Sequence, residues 1–330
     1  MIAFFAATSM LATSSPASWG EDALAMLRRE YFIEASGLYA ERPDRRSPAF
    51  NWGVGVMLSA LNAAARHNPK HKAALRAYAD ASRVYWQQGG YDVLPTTQPL
   101  DRYYDDNAWM ALALVETYEV LGDKKYLDWA QGALDFALAG ASQEGGIFWR
   151  ERDRASRNTC STAPTAAACL AVSRHTRDPK LREPAQRLVD WTRRTLEDPA
   201  DGLYWDHVDR DGKIEKTKWS YNSALMIAAM RGLGMPEARR TLTASKARWL
   251  KSGRLDDEGR FAHLLLETWV EAEGARPEFV EVLRGLQIAK SARGFVPPHW
   301  GKAKLPDNPE ILDQAAFARA CFVLAGAKAK

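Results

Sequence analysis

The sequence predicts an all-α protein whose helices close into a six-hairpin toroid, an (α/α)6 barrel, with short loop hairpins at its open end. Three observations support this prediction: a repeat of about 55 residues, two alternating kinds of helix within each repeat, and six pairs of such helices along the chain. At 330 residues with 46% hydrophobic content, the chain is long enough to bury the core of so large a ring.

The repeat is marked by a glycine that is followed by apolar or aromatic residues. It occurs at Gly37, Gly90, Gly146 and Gly202, with weaker echoes at Gly259 and Gly294. The first four steps are 53, 56, 56 and 57 residues, and the last is 35. Four nearly equal steps indicate a repeated structural unit rather than chance.

Within each repeat, one helix is apolar on all sides and the other is amphipathic. Residues 108–115, 163–172 and 224–230 are almost entirely small or apolar, which is typical of helices buried on every side. Residues 181–196 instead carry one apolar face and one charged face. The predicted inner helices start near Asn51, Tyr104, Thr162, Tyr221, Phe261 and Ile311, and the outer helices near Glu21, Lys70, Lys124, Pro179, Glu237 and Glu278.

An open helical solenoid is the alternative to a closed ring. A solenoid needs terminal repeats with a polar outer face, whereas inner-type helices continue here to the end of the chain. The sequence therefore favours closure.

No linker or low-complexity tract divides the chain, so residues 20–330 are predicted to form a single (α/α)6 domain. Residues 1–19 are predicted to be a signal peptide or a disordered N-terminus, because a short apolar run precedes small residues, although the usual positive segment is missing. We therefore expect a secreted or periplasmic protein, with a cytoplasmic location as the alternative. No segment is long and apolar enough for membrane insertion, and we expect a monomer.

Charge and cysteine content narrow the set of partners. The 45 basic and 41 acidic residues are scattered, and the densest basic stretch, residues 150–157, is interrupted by acids, which disfavours nucleic acid as a partner. The three cysteines, Cys160, Cys169 and Cys321, have no zinc-like spacing and are predicted to be buried free thiols. We expect neither a metal nor a cofactor.

The predicted geometry places a binding site before any catalytic motif is considered. If the inner helices run parallel, their first residues meet at one mouth of the ring, and these segments are rich in aromatic, amide and hydroxyl side chains. Such side chains suit a sugar, because flat rings stack on C–H surfaces and short polar groups hold hydroxyls. The alternative is that they pack loops and cap helices. The candidate binding residues are Asn51, Trp52, Tyr103, Tyr104, Trp149, Asn158, Thr159, Trp219, Tyr221 and Asn222.

Two adjacent carboxylates, Asp105 and Asp106, stand at one of these helix starts. Cleavage of a glycosidic bond generally needs two carboxyl groups, one to protonate the leaving oxygen and one to attack carbon or activate water. A helix N-terminus stabilises an ionised carboxylate, while a like charge nearby raises the pKa of its neighbour. The alternative is an ordinary helix cap with a first-turn acid.

The segment from Tyr103 to Trp109 resembles glycoside hydrolase family 76, the α-1,6-mannanases. The likeness extends to residues 145–150, 157–164 and 219–222, in the family's order and spacing. The resemblance implies an (α/α)6 barrel and endo-cleavage of α-1,6-linked mannan with retention of configuration. It also implies that Asp105 is the nucleophile and Asp106 the general acid/base. Some relatives transfer glycans instead of hydrolysing them, and the sequence does not separate the two.

Two alternative functions are compatible with the same fold. A sugar epimerase would need at least two converging histidines, and only His263 lies near a predicted inner-helix start, with His207 and His299 in loops. A non-catalytic glycan-binding protein would keep the cleft without needing both aspartates.

Overall fold

The computed structural model describes residues 14–45 and 47–328. In this part of the chain, outer and inner α-helices alternate. The outer helices are α1 (Pro16–Tyr31), α3 (Lys72–Ala81), α5 (Lys124–Ala139), α7 (Arg182–Leu196), α9 (Ala238–Trp249) and α11 (Pro277–Ile288). The inner helices are α2 (Asn51–His67), α4 (Tyr104–Leu121), α6 (Thr159–Thr176), α8 (Ser220–Leu233), α10 (Gly259–Glu273) and α12 (Ile311–Gly326). None of the helices described has the length and hydropathy required to cross a membrane.

The inner helices form a closed ring. Each packs against the next, from α2 through α4, α6, α8 and α10 to α12, and α12 packs back against α2. The prediction of an (α/α)6 barrel is confirmed, and every inner helix begins within three residues of its predicted start. The core lies between the inner ring and the outer helices, where apolar side chains of both layers are buried.

Helix α1 begins five residues before its predicted start at Glu21. The side chain of Ser15 accepts a hydrogen bond from the Ser18 backbone, the Ser18 hydroxyl oxygen accepts one from Ser15, and Pro16 occupies the first turn, which together form a capping box. The boundary predicted between residues 19 and 20 falls inside α1, in which Trp19 is buried. Residues 1–13, which hold the apolar part of the predicted signal peptide, lie outside the described residues.

Short antiparallel strands join the end of an outer helix to the start of the next inner helix. The two-stranded hairpins pair β1 (Phe32–Ile33) with β2 (Leu38–Tyr39), β3 (Trp86–Gln87) with β4 (Gly90–Tyr91), and β8 (Leu250–Lys251) with β9 (Arg254–Leu255). A three-stranded sheet joins β5 (Ser156–Asn158), β6 (His207–Asp209) and β7 (Ile214–Glu215). Because they precede inner helices, these strands lie at the end of the ring where the inner helices begin.

The glycine repeat corresponds to the turns of these loops, with two corrections. In the second repeat the turn is Gln88-Gly89, in which both residues have positive φ, and Gly90 is the first residue of β4. In the fifth repeat the turn glycine is Gly253, with φ of +72°, and the preceding Ser252 also has positive φ. Two consecutive positive φ values in a two-residue loop are typical of a type I′ hairpin. Gly259, which the spacing had suggested, is instead the first residue of α10.

Buried polar side chains in the first turns of the inner helices fasten these loops to the ring. Asn107 on α4 accepts from the Tyr91 N–H at 2.7 Å and donates to the Tyr91 carbonyl at 2.9 Å. Gln314 on α12 makes the same pair of bonds with the backbone of Val296, at 2.9 and 3.0 Å. Thr162 on α6 accepts from the Ile147 N–H at 3.0 Å. The loops that form the rim are therefore held in a fixed position relative to the helices.

Candidate active site

A cleft of about 870 Å³ opens at the end of the ring where the inner helices begin. Its walls combine aromatic rings with carboxylates, and none of its lining residues is a lysine or an arginine. The lining consists of Phe50, Trp52, Val93, Asp101, Tyr103, Asp105, Asp106, Trp109, Trp149, Asp153, Ala155, Ser156, Asn158, Cys160, Asp206, His207, Asp209, Trp219, Tyr221 and Phe261.

Asp105 and Asp106 both line this cleft from the first turn of α4. Oδ2 of Asp105 accepts a hydrogen bond from Nε1 of Trp149 at 3.0 Å and a weaker one from the Sγ of Cys160 at 3.6 Å. Oδ1 of Asp105 is buried and makes no hydrogen bond with the described residues. Tyr103 is the N-cap of α4 and makes no capping hydrogen bond with its side chain. The pair is thus turned to the cleft and does not act as a conventional cap.

The surroundings of the two carboxyl groups favour a shared proton. Burial raises the pKa of Asp105 to about 7, although the hydrogen bond from Trp149 opposes this effect. The pKa of Asp106 is raised well above its usual value, first by burial and then by the negative charges of Asp105, Asp101 and Asp92. Both effects favour retention of a proton by the pair near neutral pH, and the negative charges around Asp106 favour the protonated form of that carboxyl group.

Aromatic rings form the opposite wall of the cleft. Trp52 stacks on Phe261 with ring centroids 5.7 Å apart, and Phe261 stacks on Tyr221 at 4.5 Å. Trp219 packs against Phe261 at 5.1 Å. On the side of the carboxylates, Tyr103 meets Trp149 edge to face at 5.1 Å. A ring-shaped apolar ligand surface, such as the C–H face of a sugar, can lie between these walls.

Of the predicted site residues, the structure brings eight to the cleft: Trp52, Tyr103, Asp105, Asp106, Trp149, Asn158, Trp219 and Tyr221. The other four are buried and do not line the cleft, so that their contact with a substrate stays a prediction: they are Asn51, Tyr104, Thr159 and Asn222.

The four residues behind the wall are buried because successive helical residues point about 100° apart. When Asp105 and Asp106 face the cleft, Tyr104 turns outward, where it stacks on Phe136 at 5.2 Å. Thr159 donates its hydroxyl proton to the carbonyl of Trp205 at 2.6 Å. The side chains of Asn51 and Asn222 are fully buried and make no hydrogen bonds with the described residues.

Several polar lining residues were not identified from the sequence: Asp101, Asp153, Asp206, His207 and Asp209. Nδ1 of His207 lies 3.0 Å from Oδ2 of Asp206, and His207 pairs with Asn158 across the β5–β6 ladder. The sequence could have indicated two of them by their position in the repeat. Asp206 and His207 directly follow the glycine-aromatic segment 202–205, in the same way that Arg150 follows segment 146–149. Among the described residues, no group of three His, Cys, Asp or Glu side chains is arranged to hold a metal ion.

A closed ring of paired helices whose mouth carries an acid pair between aromatic walls defines a class of carbohydrate-active enzymes. The model of the family described as glycosyl hydrolase family 76 matches residues 26–249. The chain belongs to glycosyl hydrolase family 76, and its enzyme class is that of the glycoside hydrolases. Comparison with curated proteins gave no match.

Solved structures share this fold over nearly the whole chain. A family 76 α-mannanase of Bacteroides thetaiotaomicron superposes with a TM-score of 0.87 at 26% identity, covering 96% of both chains. An inactive variant of an α-1,6-mannanase from a Salegentibacter species, with two consecutive aspartates replaced by asparagine, was solved with α-1,6-mannotriose. It matches with a TM-score of 0.79 at 18% identity, covering 94% of this chain and 99% of that one. A cellobiose 2-epimerase of Spirochaeta thermophila matches at 0.73 and 16% identity, covering 96% and 98%.

Proposed function

We propose that this chain hydrolyses α-1,6-mannosidic linkages in mannan-type glycans and retains the anomeric configuration. The observation that carries the proposal is the pair of neighbouring aspartates that face the cleft with different environments. Oδ2 of Asp105 accepts two hydrogen bonds, whereas the Asp106 carboxyl accepts none from the described residues and lies among other negative charges. One carboxylate and one carboxylic acid are the two groups that glycosidic cleavage requires.

In the proposed mechanism Asp105 is the nucleophile and Asp106 the general acid/base. The Asp105 carboxylate forms a bond to the anomeric carbon as the bond from that carbon to the leaving oxygen breaks, and Asp106 gives its proton to that oxygen. Water then attacks the anomeric carbon, Asp106 accepts a proton from the water, and Asp105 is released as a carboxylate. Two displacements at one carbon restore its configuration.

The charge of the cleft supports a neutral glycan as substrate. None of its lining residues is a lysine or an arginine, so a uronate or phosphate group would find no cation in the lining and would meet ionised aspartates. Mannan is a neutral polymer. The α-1,6-mannotriose held by the Salegentibacter enzyme is consistent with this choice, as is the α-mannanase activity of the Bacteroides neighbour.

Three finer expectations belong to the same proposal. Family membership supports an endo mode of action, in which cleavage occurs within the chain. We infer a monomer as the working unit, since one chain provides both carboxyl groups and both aromatic walls. We also infer export to the periplasm or the medium, where polymeric mannan would be met.

Other activities of the same fold make different demands on this cleft. A transglycosylase would use the same covalent intermediate, with a sugar hydroxyl in place of water as acceptor. An epimerase would need two histidines at the substrate. Of the histidines in the described residues, only His207 lines the cleft. His263 is buried below it, and burial lowers the pKa of its side chain to about 4.

Incubation with α-1,6-mannan separates these activities. If the enzyme hydrolyses mannan, new reducing ends should accumulate with time. If it cleaves within the chain, the products should be oligosaccharides of several lengths. Longer products without a net gain of reducing ends would indicate transfer. Binding without new ends would indicate a glycan-binding protein, and a change of sugar without cleavage an epimerase.

A further inference from the structure

The carboxyl group of Asp105 is held from outside its own helix. Trp149 lies in the loop before α6, and its Nε1 donates to Oδ2 of Asp105 at 3.0 Å. The Sγ of Cys160, at the start of α6, approaches the same oxygen at 3.6 Å. Two donors from a neighbouring repeat therefore converge on one oxygen.

We propose that Trp149 is a positioning residue for Asp105, and that its indole N–H, assisted by the Cys160 thiol, anchors the carboxylate in the orientation from which it attacks. This inference rests on the proposed function, in which Asp105 is the nucleophile. It assigns Trp149 a role different from that of a platform for sugar stacking.

The backbone of Trp149 is fixed relative to Asp105, which makes this role structurally consistent. The carbonyl of Trp149 accepts from the N–H of Tyr104 at 2.9 Å, so the loop is bonded to the residue that precedes Asp105. The N–H of Trp149 donates to the carbonyl of Ser156 at 3.0 Å. With both backbone groups engaged, the indole reaches Asp105 from a rigid support, and such support is needed to hold a catalytic group within a fraction of an ångström.

The two donors to Asp105, the indole N–H of Trp149 and the thiol of Cys160, are both neutral. A hydrogen bond to the ionised form of a carboxyl group lowers its pKa without introducing a full opposite charge. Burial and the charge of Asp105 raise the pKa of the Cys160 thiol well above its usual value, so the S–H is retained and donates. Trp149 and Cys160 thus offset part of the rise in the pKa of Asp105 that burial causes, and they favour its ionised form.

The test is Trp149→Phe, which keeps an aromatic ring in the cleft and removes the N–H. We expect kcat on an α-1,6-mannooligosaccharide to fall about 10- to 100-fold, the usual range for a lost hydrogen bond to a charged group. The acidic limb of the kcat/KM profile, near pH 7 in the wild type, should move to higher pH. The Kd for α-1,6-mannotetraose, measured in an inactive Asp106→Asn background, should change less than about threefold.

Trp205→Phe is the matched control, since Trp205 follows the next glycine unit and does not line the cleft. It should keep the wild-type kcat and pH profile. Cys160→Ala, which removes the weaker donor, should shift the acidic limb in the same direction as Trp149→Phe but less far.

Two results would overturn the inference. One is an unchanged kcat and pH profile in Trp149→Phe. The other is a loss confined to KM and Kd, which would establish stacking as the role of Trp149. If the wild type itself released no reducing ends from mannan, the proposed function would fail separately. The anchoring bond would then still be tested by unfolding, where Trp149→Phe should lose stability relative to wild type mainly above pH 7.

Discussion

Asp105 and Asp106 are neighbours in the chain, yet the structure gives them different surroundings. Asp105 is bonded to Trp149 and Cys160 on one oxygen, while the carboxyl of Asp106 lies near the negative charges of Asp101 and Asp92. The difference separates the pKa values of two identical side chains, as in other pairs of catalytic carboxyls. The distinct roles that we propose for them rest on these different environments.

The roles predict different consequences for each aspartate. Asp105→Asn should abolish turnover, at least 1000-fold in kcat, and leave the fold intact, because an amide is a poor nucleophile of nearly the same shape. Asp106→Ala should impair substrates with poor leaving groups most, since good leaving groups need less protonation. Rates on an aryl mannoside and on mannotetraose measure the contrast. Wild-type rates in Asp105→Asn would show that the roles are wrongly assigned.

The raised pKa of Asp106 predicts a stability gain on its removal that depends on pH. A carboxyl group with a folded pKa above its unfolded value contributes stability below the unfolded pKa, near 3.8, and that contribution is lost as the pH rises toward the folded pKa. Asp106→Asn should therefore stabilise the protein at pH 8 and have almost no effect on its stability at pH 4, as measured by urea unfolding.

Asp123→Asn is the control of opposite sign. Asp123 caps α5 and is half-buried, and a hydrogen bond from the Lys125 backbone N–H holds the pKa of its carboxyl group below the usual value. Its contribution is present above pH 4 and lost in acid, so this variant should be less stable than wild type only at the higher pH. A gain for Asp106→Asn that was equal at pH 4 and pH 8 would contradict the charge argument.

At this scale the sequence identified the acid pair but not its partners. Asp105 and Asp106 were predictable because the repeat placed them at a helix start beside aromatic residues. The bond from Trp149 was not, since it depends on the side-chain conformations of two residues that are 44 positions apart. Asp206 and His207 were missed because an acidic residue in a hairpin is also typical of an ordinary turn.

The loops that form the rim are bonded to the inner helices by polar side chains in the first turns of those helices. From the sequence these residues could be recognised as polar, but their hydrogen-bond partners could not be predicted. Asn107 was part of the predicted aspartate motif, and the structure gives it two hydrogen bonds to the backbone of Tyr91. Helix positions were predictable because apolar runs and repeat spacing are long-range signals. The turn of the fifth repeat was misplaced because a two-residue turn, Ser252-Gly253, gives a short local signal.

Removal of the Asn107 side chain should destabilise the protein. Asn107→Ala leaves the N–H and carbonyl of Tyr91 buried without partners, at a cost of about 2–4 kcal/mol. Asn222→Ala is a matched control, because Asn222 occupies the corresponding region of α8 and makes no hydrogen bond with the described residues. Thermal and urea unfolding should show a clearly smaller loss for Asn222→Ala. Equal losses would mean that burial alone, and not the bonds to Tyr91, stabilises the rim.

On the scale of the whole molecule, a buried ion cluster joins the inner helices near the axis of the ring. Arg319 on α12, which is 4% exposed, forms a bidentate pair with Glu116 on α4 at 2.7 Å and also bonds to Glu267 on α10. Its guanidinium further donates to the carbonyl of Ser59 on α2 at 2.9 Å. The last helix of the chain is thereby connected to three others, including α2, against which it closes the ring.

Arg319→Met should cost about 3–5 kcal/mol, because it leaves the partly buried Glu116 and Glu267 as like charges without their cation. Burial and the charge of Glu267 already raise the pKa of nearby Glu271 to about 7. Arg66→Ala, which breaks a solvent-exposed pair with Glu119 at 3.0 Å, should cost less than about 1 kcal/mol. Urea unfolding measures both, and comparable losses would show that the buried cluster has no special part in closing the ring.

Ring closure was predictable from sequence because inner-type helices run to the end of the chain, but the pairing of Arg319 was not. A single arginine in an apolar helix indicates a buried charge without indicating its partners, which here lie 52 and 203 residues away. Closure also shapes the cleft, since the ring brings the α4 aspartates into the same cleft as the aromatic residues of α2, α8 and α10.

The central claim is that Asp105 and Asp106 act in succession on one sugar. It is tested most directly by proton NMR, which identifies the anomer first released from α-1,6-mannan in the earliest minutes of the reaction. The wild-type enzyme should release the α-anomer, which then mutarotates, and Asp105→Asn should release neither anomer. Initial release of the β-anomer by the wild type would require a single displacement by water. That outcome would contradict the role of Asp105 as the attacking group.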